Sequence, residues 1–397
     1  MKTTGDQQLV KRINRSVLLR LIRSQPGLSR AQMAVHSGLT KSTVSTAVRE
    51  LIEDGWITEA DAQPGLALGR PSTPLRISTH TRGLVGVEVA IDCLRVAIVS
   101  LVGDVLWSGE LPLPDHAPAA VCARVAEAVS MAHGEMVMRG LLLSGVGLGL
   151  PGAFDVRTGL LRIAPNLGWR NVAIGAMVAQ AFAQAGLPDV PVHIQNEADA
   201  AALSEYEFGE ANQTDALIFV TCDVGVGAGI VLNDRLFAGA QGLAGEIGHS
   251  ILQFNGPLCS CGRRGCAETF IGSHALEREL NQTGNLVEAG KHLGVLLQNL
   301  WTSFNPGVLV VGGKSCILHP RLFEIACQTL QAFASSAGMT APRVRCAHYG
   351  LLAAAVGAAA LVLHDQLRPM QERPLATGNP VALPDPAGVP QEFVLQE

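Results

Sequence analysis

Apolar residues at Leu9, Ile13, Val17, Leu18, Leu21 and Ile22 recur at helical spacing, which predicts an amphipathic helix over Gln8–Ser24. Pro26-Gly27 ends it. Ser29 is placed to cap a second helix over Arg30–Ser37, Gly38 supplies a tight turn, and Thr40 is a good N-cap for a third helix running to Asp54. On the third helix Val44, Val48, Leu51 and Ile52 form the apolar stripe. Lys41, Ser42, Thr43, Ser45, Thr46 and Arg49 fall largely on the other faces. Beyond Gly55, Trp56-Ile57-Thr58 and Leu75-Arg76-Ile77 read as short strands around a loop that holds Gly69-Arg70-Pro71.

The pattern then changes. Val85–Val99 reads as a strand pair, and Leu141–Leu150 is an apolar run closed by Pro151-Gly152. Ala173–Ala185 and Glu197–Glu210 have helical periodicity, Ile218–Val220 and Gly229–Leu232 read as strands, and Val287–Trp301 is helical. Val308–Val311 is a buried strand ending in Gly312-Gly313, and Gly350–His364 is an Ala-rich helix. Strands interleaved with helices predict an α/β fold. After His364 the chain is Pro-rich and aperiodic, so residues 365–397 are expected to be an irregular tail.

Charge divides the chain. Residues 1–82 hold twelve Lys/Arg against six acids, so the remainder carries −11 of the formal total of −5. A basic head on an acidic body points to a polyanionic partner. A helix with an apolar stripe and a Ser/Thr/Lys/Arg outer face suits a DNA major groove, and Arg70, set between Gly and Pro, suits a minor groove. The length suggests two or three domains. Nine cysteines, three of them clustered, argue for a reducing compartment rather than a disulfide framework. Met1-Lys2-Thr3-Thr4-Gly5-Asp6 has no apolar signal-peptide core. No apolar run reaches the roughly 18–20 residues of a membrane span: the best candidate, Leu84 to Val102, is broken by Glu88, Asp92 and Arg95. These features lead us to expect a soluble cytoplasmic protein without a membrane partner.

The densest chemistry lies in Gly245-Glu246-Ile247-Gly248-His249 and Cys259-Ser260-Cys261-Gly262-Arg263-Arg264-Gly265-Cys266-Ala267-Glu268. Three thiolates and an imidazole, from Cys259, Cys261, Cys266 and His249, are a tetrahedral set of the kind that closes a structural Zn²⁺ site. Gly262 and Gly265 let the backbone curl back so that Cys266 meets the other two thiols.

The same segment resembles the signature of the ROK family of repressors, open reading frames and sugar kinases. The resemblance continues through Leu148-Gly149-Leu150-Pro151-Gly152, Asn166-Leu167-Gly168-Trp169, Gln195-Asn196-Glu197-Ala198-Asp199, Gly225-Val226-Gly227-Ala228-Gly229, Asn305-Pro306-Gly307 and Val311-Gly312-Gly313. It implies a winged helix-turn-helix over residues 1–80, followed over 83–364 by a two-lobed actin-like (ribonuclease-H-like) sugar-binding body with a zinc loop. By the same resemblance Asn196, Glu246, His249 and Glu268 fall on positions that hydrogen-bond sugar hydroxyls, with Glu197 beside them and Gly152 and Asn166 at the cleft edge.

The family's kinases carry Asp-x-Gly-Gly-Thr-Lys at the first strand turn, where glycines bring N–H groups against ATP phosphates. The matching stretch here is Glu88-Val89-Ala90-Ile91-Asp92-Cys93, without either glycine or the lysine, and Glu197 stands where those kinases have the general-base Asp. The expectation is a sugar-responsive DNA-binding regulator without catalytic residues. Its partners would be operator DNA and a monosaccharide or sugar-phosphate effector, and it would act as a homodimer or tetramer. An ATP-dependent sugar kinase with an appended head is the alternative.

Overall fold

The computed structural model describes residues 7–60, 73–155, 158–209, 216–240 and 242–369. The chain opens with α1 (Gln7–Ser24), α2 (Arg30–Ser37) and α3 (Lys41–Glu53), then β1 (Ile57–Glu59) and β2 (Leu75–Ile77), paired antiparallel. The helix ends follow from local chemistry. Ser29 caps α2 in a reciprocal capping box with Gln32, and Gly38 ends α2 in the left-handed region. Thr40 caps α3 by accepting from the Thr43 N–H. Ala47, rather than Ile52, completes the buried stripe of Val44, Val48 and Leu51, and Ile52 is only partly covered.

Two five-stranded sheets follow. The first contains β3 (Arg82–Val89), β4 (Cys93–Ser100), β5 (Val105–Pro112), β6 (Leu142–Leu150) and, after three short strands β7 (Ala153–Asp155), β8 (Leu160–Ala164) and β9 (Trp169–Val172), β10 (Val192–Asn196). The second contains β11 (Ala216–Cys222), β12 (Val226–Leu232), β13 (Arg235–Leu236), β14 (Val308–Gly312) and β15 (Arg343–Cys346). Both have the same order: a three-stranded antiparallel meander whose first strand pairs with a parallel fourth, which pairs in turn with a parallel fifth. This is a duplicated, two-lobed actin-like (ribonuclease-H-like) α/β fold. The first lobe adds α4 (Pro118–Met138) and α5 (Ile174–Gln184). The second adds α7 (Glu268–Ile271), α8 (Ser273–Thr283), α9 (Val287–Phe304), α10 (Lys314–Leu318) and α11 (Pro320–Ser336).

Two helices form the seam: α6 (Glu197–Phe208) lies on β11 and β12 of the second sheet, and α12 (Ala353–Leu367) on β3, β4 and β6 of the first. They touch through small residues. A Cβ on Gly357 would stand 1.7 Å from the carbonyl oxygen of Ala200, so only glycine permits this crossing. The sequence reading of no membrane-length apolar run needs correction: Gly350–Leu367 is long and apolar enough by composition. Its apolar character serves burial between lobes, since nearly every residue of α12 is covered. Helix α12 also runs beyond His364 to Leu367, and residues 370–397 of the expected tail lie outside the described residues.

The head is not tethered loosely. Leu18, Leu19, Ile22, Val44, Val48, Leu51, Trp56 and Leu75 share one apolar core with Leu84, Val99 and Leu101 of the first lobe and Val356, Ala359, Leu363 and Leu367 of α12. Part of the head's positive charge is paired with acids of the protein. Arg23 pairs with Glu207 and Arg20 with Asp234 on the body. Within the head, Arg15 pairs with Asp54 and Lys11 with Glu50.

Candidate functional site

The outer face of α3 is built as expected from the stripe. Lys41, Ser42, Ser45, Thr46 and Arg49 are exposed. Thr43 is half-buried, and its hydroxyl lies 2.9 Å from that of Thr40 within the N-cap. Arg49 stands 3.9 Å from Glu53 one turn on, both of them largely in solvent. Arg70 lies outside the described residues.

The cleft residues meet where the lobes face each other. Asn196 ends β10 and caps α6: its Oδ1 accepts from the N–H groups of Ala198 (2.8 Å) and Asp199 (3.3 Å). Its Nδ2 donates to the Gly152 carbonyl (3.0 Å) and to Glu197 Oε2 (3.2 Å). The Asn196 amide is therefore occupied within the protein, and Gly152 contributes a carbonyl. The Glu197 carboxyl is held well above its ordinary value, by burial first and then, against a backbone hydrogen bond, by the charges of Glu88, Glu246 and Asp223. Across the cleft, Glu246 is exposed and His249 and Glu268 are partly covered. Gly225 draws two expected residues together: a Cβ there would lie 3.0 Å from Glu268 Oε2 and 4.0 Å from Asn166 Nδ2.

The Cys/His loop assembles as its spacing predicted. Ligand atoms of His249, Cys259, Cys261 and Cys266 all lie within 4.8 Å of one another. Cys261 Sγ is 3.7 Å from Cys266 Sγ, and Cys259 Sγ is 3.7 Å from His249 Nδ1. A tetrahedral ion with ~2.3 Å bonds to sulfur sets its ligands ~3.7 Å apart. The set therefore fits a four-coordinate metal. Backbone bonds hold the loop: Cys259 N–H donates to the Arg263 carbonyl, Gly262 N–H to the Cys259 carbonyl and Ala267 N–H to the Ser250 carbonyl. Gly262 and Gly265 take φ of 86° and 75°, the curl expected of them. The Cys261 thiol is lowered to about 6: burial is the largest single influence and opposes the change, and hydrogen bonds from Arg263 and from the neighbouring thiols together outweigh it. A thiolate is the form that binds metal.

Around the turn between β3 and β4 the protein's own charges pair with one another. Glu88 on β3 faces Arg95 on β4 at 3.2 Å, and Arg95 reaches Glu110 on β5 at 3.4 Å. Asp92 stands 3.9 Å from Lys314 Nζ on the second lobe, and the Lys314 N–H donates to Asp223. Burial raises Glu88 to about 7, with Arg95 opposing and Asp223 and Asp92 adding to the rise. Arg95 entered the sequence reading only as a break in an apolar run, and Lys314 and Asp223 did not enter it. Of these, Arg95 was within reach, because a hairpin turning at Ala90–Asp92 places it opposite Glu88.

A winged-helix head packed on a duplicated α/β body with a four-ligand Cys/His loop defines a regulator-like variant of the sugar-kinase fold. The chain belongs to the ROK family, whose profile matches residues 84–365; a winged helix-turn-helix DNA-binding profile matches residues 12–58. It is 29% identical over 341 residues to the xylose repressor of Bacillus subtilis, covering 81% of this chain and 87% of that protein. It is 26% identical over 365 residues to the DNA-binding transcriptional dual regulator NagC of Escherichia coli K12, covering 83% and 88%. In structure it is similar to a ROK family transcriptional regulator homologous to the E. coli MLC protein, with TM-score 0.72, 22% identity and coverage of 91% of this chain and 98% of that one. It is also similar to the ROK hexokinase of Thermus thermophilus, with TM-score 0.59, 29% identity and coverage of 70% and 97%.

Proposed function

We propose that this chain is a sugar-responsive DNA-binding transcriptional regulator, a repressor whose operator affinity is changed by a monosaccharide or its phosphate bound in the cleft. The observation that carries the reading is the coexistence of a winged-helix head with a turn between β3 and β4 that lacks the kinases' glycines and pairs Glu88 with Arg95 and Asp92 with Lys314. Residues 1–80 serve DNA binding, through Lys41, Ser42, Thr43, Ser45, Thr46 and Arg49 in a major groove and Arg70 in a minor groove. Residues 83–364 serve sugar binding. Helix-turn-helix regulators engage paired half-sites, so the working form is a homodimer or tetramer. Such a regulator works in the cytoplasm.

In the cleft, carboxylates and amides suit vicinal hydroxyls, each of which both donates and accepts. Asn166 from the first lobe, Glu197 at the start of the seam helix α6, and Glu246, His249 and Glu268 from the second lobe form the binding set. Asn196 and Gly152 position it through the α6 cap. Zn²⁺, held by Nδ1 of His249 and the sulfurs of Cys259, Cys261 and Cys266, would brace the loop and leave His249 Nε2 for a sugar hydroxyl. A sugar touching both sets draws the lobes together, and a changed spacing of the two heads weakens simultaneous docking on half-sites.

A sugar kinase is disfavoured on the same residues. Neither glycine of the phosphate turn is present, and Glu197 is one methylene longer than the usual base where phosphoryl transfer depends on position. The test is a thermal-shift screen of neutral and phosphorylated monosaccharides. A ligand at about 100 times its Kd adds roughly 2.7 kcal/mol to stability. At least one sugar should raise the melting temperature of the wild type and not of Glu268→Ala. A panel without effect on the wild type would overturn the sugar reading.

A further inference from the structure

Strand β12 runs from the cleft to the head. At its start the Ala228 N–H donates to the Gly245 carbonyl at 2.8 Å, and a Cβ on Gly248 would stand 2.2 Å from the Val226 carbonyl oxygen. The segment carrying Glu246 and His249 is thus seated on this strand. At the other end, the turn into β13 carries Asp234. Seven residues at ~3.4 Å each put the two ends about 20 Å apart. The strand lies within a five-stranded sheet, so both ends move with the second lobe.

Asp234 gathers side chains from three other elements. The Tyr206 hydroxyl of α6 donates to it at 2.7 Å, Arg368 just beyond α12 pairs with it, and Arg20 of α1 pairs with it at 2.9 Å. One turn further along α1, Arg23 pairs with Glu207 of α6 at 2.8 Å, and Arg368 reaches the same carboxylate at 2.6 Å. Successive turns of α1 are therefore fastened to the second-lobe side of the seam: Arg23 to α6, which lies on the second sheet, and Arg20 to the turn between β12 and β13. Helix α1 in turn shares its core with α3, through Leu18, Leu19 and Ile22 against Val44, Val48 and Leu51.

We propose that Arg20–Asp234 is the contact through which movement of the second lobe sets the position of the DNA-binding head. The proposal rests on the sugar-response reading above. When a ligand pulls the Gly245–His249 segment toward the first lobe, the sheet carries Asp234 with it while the head's apolar core stays on Leu84, Val99 and Leu101 of the first lobe. A relative shift of about 2 Å takes a pair at 2.9 Å beyond the ~4 Å limit of an ion pair. The head is held to the first lobe by apolar packing, so losing this pair re-aims it without releasing it. Arg20 is half-exposed, so the pair adds little to folding stability and its loss reads out coupling rather than folding.

The experiment measures operator affinity of the full chain with and without sugar, for wild type, Arg20→Met and Arg20→Lys. The probes are D-xylose, N-acetylglucosamine and their phosphates, screened first on the wild type. Sugar affinity without DNA is measured in parallel. The relay predicts that Arg20→Met binds sugar as the wild type does and still binds operator, but that its ratio of affinities falls at least fivefold toward unity. Arg20→Lys keeps the ratio. A wild-type ratio in Arg20→Met, with the wild type itself responsive, overturns the relay and leaves the sugar response standing. A wild type whose operator affinity none of the probes changes overturns the sugar response, and the relay with it.

Discussion

The carboxylate of Glu88 and the guanidinium of Arg95 face each other at 3.2 Å across the β3–β4 ladder. On the proposed reading, in which this turn stands where the family's kinases hold ATP phosphate, the pair puts a carboxylate there and occupies Arg95. Asp92, 3.9 Å from Lys314, does the same from the turn. Like charges at ~4 Å cost on the order of 1–4 kcal/mol at effective dielectrics of 80 to 20. We therefore expect no sugar-dependent ATP hydrolysis above background in a coupled assay. Turnover at the roughly 1–100 s⁻¹ of ordinary kinases would contradict this.

The Cys/His loop predicts one Zn²⁺ per chain. Cys261→Ser should lose the metal and release the segment that positions Glu268, seen as protease cleavage between residues 255 and 265. The six remaining cysteines are dispensable for metal. Elemental analysis of freshly purified wild type settles the point, and a zinc-free wild-type sample would sink the assignment.

Asp199 predicts a pH dependence. Burial, followed by the charge of Glu246, raises its carboxyl to about 8 against a hydrogen bond from the Ile230 N–H. The folded state keeps a proton that the unfolded chain releases above about pH 4, so stability falls as pH rises from about 4 toward 8. Glu88, raised to about 7, acts in the same sense. Glu207 acts in the opposite sense: despite its burial, the hydrogen bond with His364 and the charges of His364, Arg368 and Arg23 lower it. Its contribution is present above its unfolded value and is lost in acid. Asp199→Asn should flatten the loss between pH 5 and 8 and leave acid unfolding unchanged. The gain is a few kcal/mol at most, at ~1.4 kcal/mol per tenfold change in proton affinity. Melting curves of the two proteins across that range are the check; parallel slopes would exclude Asp199 as the source.

Contiguous features were legible in the sequence. The three head helices and the Cys/His loop are specified by caps, glycines and spacing within some twenty residues, and α2 keeps the predicted bounds Arg30–Ser37. The first wing strand lies one residue later than read, at Ile57–Glu59, because Trp56 turns into the shared core. Helices α4 and α11 were not singled out, since α4 is rich in Ala, Val and Met on several faces and offers a weak stripe. Asn196 read as a sugar ligand, and its amide is spent on the α6 cap and Gly152. Contacts such as Arg20–Asp234 and Asp92–Lys314 join residues more than two hundred positions apart, and only the packing of the lobes brings them together.

The central claim is that a sugar in the cleft alters the grip on DNA. A ligand changes operator affinity only if it binds the DNA-competent and DNA-incompetent arrangements unequally, and such couplings commonly span roughly 5- to 150-fold. The most direct measurement is the operator dissociation constant of the wild type and of Glu268→Ala, each with and without a sugar shown to bind the wild type. The account predicts that sugar weakens wild-type binding within that range, while Glu268→Ala binds operator normally and does not respond. Equal wild-type affinities with and without saturating, bound sugar would contradict it.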